Sequence, residues 1–358
     1  MKSQNGSSNP GAEIKRFSVD AGENRSEARQ AVTETARSLG FSDVAVEELS
    51  IVSNELLSNF VNHGCTKPEL WVARLERDGA LGIEIAAVDR GPGIRNLEDA
   101  LADRVSTVGT MGCGLGAIRR MMHEFDIVSL CDDETAEECG VVPKGTIITT
   151  SKWLNGRPPS SGRFPFSGYT RPCPGETENG DAFLIEESQD TILIAMLDGL
   201  GHGAEAHEAS DLGIGIIRQC SSEPLRAIMQ KLHTGIRRTR GCAAALFRLD
   251  TKAANIEFAG IGNIRSKMFP RSDISLYSRA GVVGRGCLPT VHVEKSVWPE
   301  GSTMVMHSDG IAGWSHPETM SRVGGHQPAT GCHFLLKNFG YDHDDATVCV
   351  IKDAVDAG

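Results

Sequence analysis

The chain of 358 residues exceeds one ordinary domain of about 150 residues and points to two. Its net charge of −11 is shared between 17 basic and 24 acidic residues before residue 160 and 19 and 23 after it, which argues against nucleic-acid or anionic-membrane binding. With 40% hydrophobic and only 23% charged residues, the chain has the material for buried cores and is not a disordered one.

Residues 1–11 are polar and expected to be disordered, and the opening MKSQNGSSNPGAEIKRF lacks the apolar core of a signal peptide. Ile14–Val19 reads as a strand. Apolar residues at Ala28, Ala31, Val32, Ala36 and Leu39 predict a helix over Glu27–Leu39, stopped by Gly40. A second helix is predicted over Asp43–Asn62, with Leu49, Val52, Leu56 and Phe60 on one face. Leu70–Leu75 and Leu81–Val88 follow as strands, then a helix over Leu115–Glu124 and strands at Ile127–Leu130 and Thr146–Trp153. The acidic run Asp132–Glu138 reads as a solvated hairpin loop. A Pro-, Gly- and Ser-rich linker over 155–162 separates domains predicted at 12–154 and 163–354.

Beyond the linker, strands are predicted at Ala182–Glu187, Thr191–Leu197, Ala243–Asp250, Asn255–Ala259, Thr303–His307 and Thr347–Lys352. Helices are predicted at about Glu205–Cys220 and Glu223–Thr239. No stretch approaches the roughly 20 apolar residues of a membrane span. The ten cysteines include no C-x-x-C pair, so neither a disulfide framework nor a metal cluster is supported and a cytoplasmic location is expected.

Chemistry-bearing residues concentrate at glycine-rich stretches. In the first half, Glu55 and Asn59 leave one face of the second helix, where a carboxylate can take a proton and an amide oxygen can ligate Mg²⁺. Asp89-Arg-Gly91-Pro-Gly93 follows an alternating strand, so backbone can approach a flat ligand while the carboxylate accepts from an exocyclic amine; as a bare pattern it is also an ordinary strand-to-loop turn. Gly112-Cys113-Gly114-Leu115-Gly116 opens a helix, presenting N–H groups to phosphates. It is neither a dinucleotide fingerprint nor a P-loop.

In this order the three elements resemble the N, G1 and G2 boxes of the GHKL ATPases, and most closely the RsbT branch of the small anti-sigma-type serine kinases, from about Ile14 to Trp153. That resemblance implies a Bergerat-type ATP-binding α/β sandwich. It makes Glu55 the base for a substrate serine, Asn59 a Mg²⁺ ligand, and Asp89 the partner of the adenine amine. Gly91 and Gly93 would shape the base pocket, Gly112, Gly114 and Gly116 would cradle phosphates, and Gly145-Thr146 would line the adenine site. Cys113 departs from the branch's apolar residue, and is read either as a small hydrophobe or as a thiol able to perturb ATP binding.

In the second half, Asp181, Asp198, Asp309 and Asp344-Asp345 stand in short acidic motifs, with Asp198 and Asp309 directly after apolar strands. Each Asp-Gly alone is a turn; four together can converge on hard divalent cations. The motifs resemble the type 2C protein phosphatases of the SpoIIE/RsbX branch, over about Ser161–Lys352, which implies an α-β-β-α sandwich. By that resemblance Asp198 bridges two Mn²⁺ or Mg²⁺ ions, the Gly199 carbonyl completes one shell, Asp309 and Asp344 hold the second ion, and Asp181 orients the surrounding water. His202 reads as a general acid or as a loop histidine bonded to backbone; no residue is singled out as a phosphate-binding arginine, Arg171 being positionally possible and no more.

The fold class is therefore α+β in two domains. The resemblances imply a bacterial partner-switching regulator that phosphorylates and dephosphorylates Ser/Thr on STAS-type antagonist or scaffold proteins, with ATP as phosphoryl donor and no nucleic-acid or membrane partner. An ATP-sensing phosphatase without kinase activity, and an anti-sigma binding switch, are the alternatives.

Overall fold

A computed structural model describes residues 7–10, 12–19, 22–77, 79–101, 114–131, 144–156, 162–270 and 274–354. In chain order the first elements are β1 (Ser7–Pro10), β2 (Ala12–Ser18), α1 (Gly22–Leu39), α2 (Asp43–Asn62), β3 (Glu69–Arg77), β4 (Ala80–Val88), α3 (Leu97–Leu101), α4 (Leu115–Met121), β5 (Glu124–Leu130) and β6 (Gly145–Trp153). There follow β7 (Phe166–Arg171), β8 (Asp181–Glu187), β9 (Thr191–Gly199), α5 (Ala204–Gln219), α6 (Leu225–Gly235), β10 (Cys242–Asp250), β11 (Asn255–Ile261) and β12 (Arg265–Phe269). The last are β13 (Ser275–Leu276), β14 (Ser278–Arg279), β15 (Glu294–Val297), β16 (Thr303–His307), α7 (Pro317–Gly325), α8 (Pro328–Phe339) and β17 (Ala346–Lys352). The chain divides into two compact units, one of residues 14–76 and 80–159, the other of residues 1–13, 77–79 and 160–358.

In the 14–159 unit, β2, β3, β4, β6 and β5 lie side by side in that order. β4 and β5 run antiparallel to β6, and β2 antiparallel to β3. The two-residue period sends Ile83, Ile85 and Ala87 of β4 to the same face as Leu70 and Val72 of β3. Those residues close a core with Ala28, Val32 and Ala36 of α1 and Leu49, Val52 and Leu56 of α2. The Ser42 side chain caps α2 by accepting from the Ala45 N–H, satisfying one of the orphan donors of its first turn. Leu56 is fully buried on this face, and Leu56→Ala is expected to cost about 2–5 kcal/mol, read as a lowered denaturant midpoint with an unchanged slope.

The other unit is four-layered. One sheet runs β1-β8-β9-β10-β11-β14, with β15 on β11; the second runs β13-β12-β16-β17-β7. Alternate residues of β9 serve different layers. Ile192, Ile194 and Met196 enter the core shared by the two sheets, with Phe166, Phe247, Met304, Met306 and Ile351. Leu193, Ala195 and Leu197 face outward onto Ile214, Ile217, Leu225, Ile228 and Leu232 of α5 and α6. Helix α8 packs on β17 and β7, closing the opposite side.

Several elements differ from the sequence reading. Ser7–Pro10, predicted disordered, adds a strand to the edge of β8, where backbone hydrogen bonds require no side-chain pattern. The helix predicted to Glu124 stops at Met121, because Glu124–Leu130 pairs antiparallel with β6. Helices α7 and α8 were not predicted at all. The acidic run 132–138 and residues 157–161 of the linker lie outside the described residues. Among the described residues no helix is long and apolar enough to cross a membrane.

Candidate active sites

The predicted phosphatase residues stand at strand ends. Asp181 begins β8 and faces Asp198, near the end of β9, across an antiparallel register. Asp309 follows β16 and Asp344-Asp345 precede β17, which pairs with β16 through His307 and Val348. Asp198 and Asp309 are close enough to hydrogen-bond, and both lie in reach of Asn263, whose Nδ2 donates to Asp309 Oδ2 at 2.7 Å. Asp181 accepts from the hydroxyls of Ser308 and Thr347, and its N–H donates to Asn179 Oδ1 at 3.0 Å.

Crowding and burial set the electrostatics. Burial first, then the neighbouring Asp181 and Asp309 charges, push the Asp198 carboxyl up to about 9. Burial likewise raises Asp181 to about 7, with Asp345 and Asp309 adding to it and the Ser308 and Thr347 hydroxyls opposing it. Asp181 Oδ2 and Asp198 Oδ2 are buried without a hydrogen-bond partner among the described residues. As the side chains stand, no group of three or more His, Cys, Asp or Glu among the described residues is close enough to enclose an ion. Unpartnered carboxylate oxygens, each costly to bury alone, are nevertheless the hard oxygen donors that Mg²⁺ or Mn²⁺ takes, so the residue set fits such a cation.

The adjacent Asp344 and Asp345 divide their work. Asp345 is buried, and its two oxygens accept from Cys173 N (2.8 Å) and Gly180 N (3.0 Å), tying the 173–180 loop to the start of β17. Asp344 is only half-buried and uses Oδ1 to accept from the Asp345 N–H at 3.0 Å. The Gly310 backbone is pressed on the same turn: a Cβ there would stand 1.9 Å from the Asp345 carbonyl oxygen. Gly310→Ala is expected to displace the Asp309 and Asp344 turns from each other, removing phosphatase turnover while the fold, followed by far-UV circular dichroism, is retained.

The structure gives the surrounding residues partners that the sequence did not show. His202 is exposed and its Nδ1 pairs with Glu176 Oε1 at 2.8 Å, whereas His207 Nδ1 bonds the Asn179 carbonyl at 2.9 Å, so the two histidines serve different partners. Glu176 lies 26 residues upstream of His202 and carried no signal. Arg171 is buried, and its guanidinium donates to the Tyr341 and Asp344 carbonyls, holding the loop that carries Asp344. Lys231 pairs with Glu223, and Arg240 with Glu205. Arg240 also reaches the loop after Asp198, its NH1 standing 3.0 Å from where a Cβ on Gly201 would sit.

In the 14–159 unit, Glu55 and Asn59 lie half-buried on α2, four residues apart and so on one flank. Asp89 ends β4 and is 5% exposed. Its Oδ1 accepts from Gly91 N at 2.6 Å and more weakly from Thr146 N at 3.4 Å, while Oδ2 has no hydrogen bond among the described residues. The Thr146 hydroxyl shares a hydrogen bond of 2.9 Å with Ser129 Oγ, which also accepts from Ile94 N at 2.7 Å. Ser129, on β5, thus links the Asp89 turn to β6, and no local motif announced it. Gly145 has φ +130°, and a Cβ there would stand 2.1 Å from the Asp89 carbonyl oxygen, so only glycine lets β6 begin against this turn. Gly114 caps α4 and Gly116 lies within it; Gly112 and Cys113 lie outside the described residues.

The comparisons with known proteins match both halves of this picture. Residues 18–138 fit the family described as the histidine kinase-like ATPase domain. Over 127 residues the chain is 32% identical to the serine/threonine-protein kinase RsbT of Bacillus subtilis (strain 168), spanning 36% of this chain and 86% of that one. The chain belongs to the RsbT family. It is also 23% identical over 139 residues to the phosphoserine phosphatase RsbX of Bacillus subtilis (strain 168), spanning 38% of this chain and 69% of that one. Among solved structures, one described as "The bacterial stressosome: a modular system that has been adapted to control secondary messenger signaling" matches with 29% identity and a TM-score of 0.50, covering 53% of this chain and 99% of that one. The RsbT-family kinase-like unit is thus joined in one chain to a unit similar to RsbX, in a protein of α+β class.

Proposed function

We propose that this chain is a bifunctional partner-switching regulator, which transfers phosphate from ATP to Ser/Thr of STAS-type antagonist or scaffold proteins and removes it again by metal-dependent hydrolysis. The observation that carries the reading is the gathering of Asp181, Asp198, Asp309 and Asp344 at the ends of two strand ladders, in a chain that also belongs to the RsbT family.

In the phosphatase unit, Asp198, Asp309 and Asp344 would hold Mn²⁺ or Mg²⁺ together with the Gly199 carbonyl, and Asp181 would orient water at the site. Bound divalent ions would supply Lewis-acid activation of water and charge neutralisation at phosphorus. Asp345 positions Asp344 by fixing the 173–180 loop and the turn before β17. His202, held by Glu176, stands at the rim and would return a proton to the serine alkoxide that leaves. Arg240, beside Gly201, fits the approach of a phosphorylated side chain.

In the RsbT-family unit, the free Oδ2 of Asp89 would accept from the adenine amine, with Gly91, Gly93 and Thr146 shaping the pocket around the ring. Gly112, Gly114 and Gly116 would give N–H groups to the phosphates, Asn59 would hold Mg²⁺, and Glu55 would take the proton of the substrate hydroxyl. Such work belongs in the cytoplasm, where ATP and reduced cysteines are available.

The test is incubation of the full chain with a phosphorylated STAS-domain protein and Mn²⁺, with and without ATP. Net phosphate release without ATP, and renewed phosphorylation with it, are expected. Release that persists in excess EDTA, or no exchange of phosphate in either direction, contradicts the reading.

A further inference from the structure

Helices α1 and α2 flank an open cavity of about 370 Å³, lined by half-buried Arg25 and Asn54, buried Leu57, and exposed Ser26, Arg29 and Ser58. Among the described residues, five of the six lining it are polar, two are cationic and none is acidic, in a chain whose net charge is −11. Arg25 and Arg29 stand four apart on α1, so two like charges share one helix face, an arrangement that an isolated helix disfavours. Arg29 is anchored at the rim, its NH1 donating to Asn54 Oδ1 at 3.1 Å. Arg25 is half-buried, and its Nε is shielded from solvent with no hydrogen-bond partner among the described residues. A buried donor left unpaired is costly, and a second cation beside it raises that cost. Both conditions are relieved by one anionic ligand.

The cavity is separate from the residues assigned to nucleotide chemistry. Asn54 and Ser58 each precede Glu55 and Asn59 by one residue, so the two pairs point about 100° apart around α2.

We propose that this cavity is a second anion site, one that binds a phosphoryl group. Guanidinium forks match tetrahedral phosphate oxygens two at a time, and the Ser26 and Ser58 hydroxyls add rotatable donors at either end. Charge selects phosphate over carboxylate: two guanidiniums balance the roughly −1.5 to −2 carried by a phosphate monoester at neutral pH, whereas a carboxylate balances only one. The donor set is indifferent to whether the phosphoryl group is free inorganic phosphate or sits on a protein side chain. The site stands whether or not the chain is a kinase.

The test uses the full-length chain carrying Asp198→Asn, with saturating AMP-PNP and Mg²⁺ so that the nucleotide site is filled. Isothermal titration is run with inorganic phosphate, with a phosphoserine peptide, and with the same peptide bearing aspartate at that position. One-site binding of phosphate or phosphopeptide is expected, weakened at least tenfold by Arg25→Gln combined with Arg29→Gln and less by Arg25→Lys. Tighter binding of the phosphopeptide than of phosphate assigns the site to a phosphoprotein; equal binding assigns it to the free anion. The single variant Arg25→Gln gives the same reading if the double variant unfolds. No measurable binding to the parent chain, unchanged binding in the arginine variants, or equal binding of the aspartyl peptide overturns the proposal.

Discussion

Replacing Asp198 with asparagine is expected to lower the rate of phosphate release at least about 10³-fold, on the order of 4 kcal/mol of transition-state stabilisation. The substitution keeps the shape of the side chain and its place opposite Asp181, but removes the charge at the most crowded position of the cluster. Hydrolysis of a phosphorylated STAS-domain protein, followed by released phosphate at several Mn²⁺ concentrations, checks it. Activity recovered simply by raising Mn²⁺ would reduce Asp198 to one replaceable contact.

The same carboxylates fix the sign of the pH dependence. Asp198 and Asp181 titrate higher in the folded chain, at about 9 and about 7, than the roughly 3.9 of an unfolded aspartate. Between those values the folded state binds more protons. In EDTA its stability is therefore fullest below about pH 4 and declines as the pH rises towards 9. Thermal melts in EDTA should show Tm falling from pH 5 to pH 8 in the parent chain and falling less in Asp198→Asn. Added Mn²⁺ should restore Tm most at pH 8, where ionised carboxylates crowd one another. A Tm in EDTA that is flat over this range in the parent would contradict the burial of these charges.

What could be read in the sequence follows from what kind of signal each element emits. Helix α2 was legible to its ends because a buried stripe of Leu49, Val52, Leu56 and Phe60 repeats at helical spacing between polar residues. Helix α8 was not, since Pro328, Thr330, Gly331, Cys332, His333, Phe334, Leu335 and Leu336 are all buried and no polar face marks a period. Strand β7 was hidden for a related reason: Gly168 lies against the Phe183 ring, and all but one residue of the strand is buried, so alternation is lost. At the sites, local motifs named the carboxylates and glycines, because each sits in a turn with its own composition. Partners that act across the fold emit no such signal. Glu176 on His202, Asn263 on Asp309 and Ser308 on Asp181 become neighbours only when separate strands are brought side by side. The two backbone carbonyls that accept from buried Arg171, 170 and 173 residues further on, were silent for the same reason.

Glu55→Gln is expected to reduce phosphoryl transfer from ATP by about 10²–10⁴-fold, the range that a general base contributes, while leaving nucleotide affinity within about twofold. Glu55 is half-buried and makes no hydrogen bond or ion pair among the described residues, so the amide disturbs no network that holds α2. Asp89→Asn should give the opposite pattern. Its Oδ1 must still accept from Gly91 N, which forces an amide N–H₂ to face the adenine amine, so that donor meets donor. ATP binding should weaken by at least tenfold, with the loss falling on KM rather than on kcat wherever saturation can be reached. Labelling of a STAS-domain protein with radiolabelled ATP, alongside a direct nucleotide titration, separates the two variants. Neither should change phosphate release in the absence of ATP, since both lie in the RsbT-family unit. Labelling by Glu55→Gln at the parent rate would remove the kinase assignment and leave the unit as a nucleotide sensor. Loss of labelling in Glu55→Gln with binding intact would instead place the proton transfer on this one carboxylate, since nothing else about the nucleotide site would have changed.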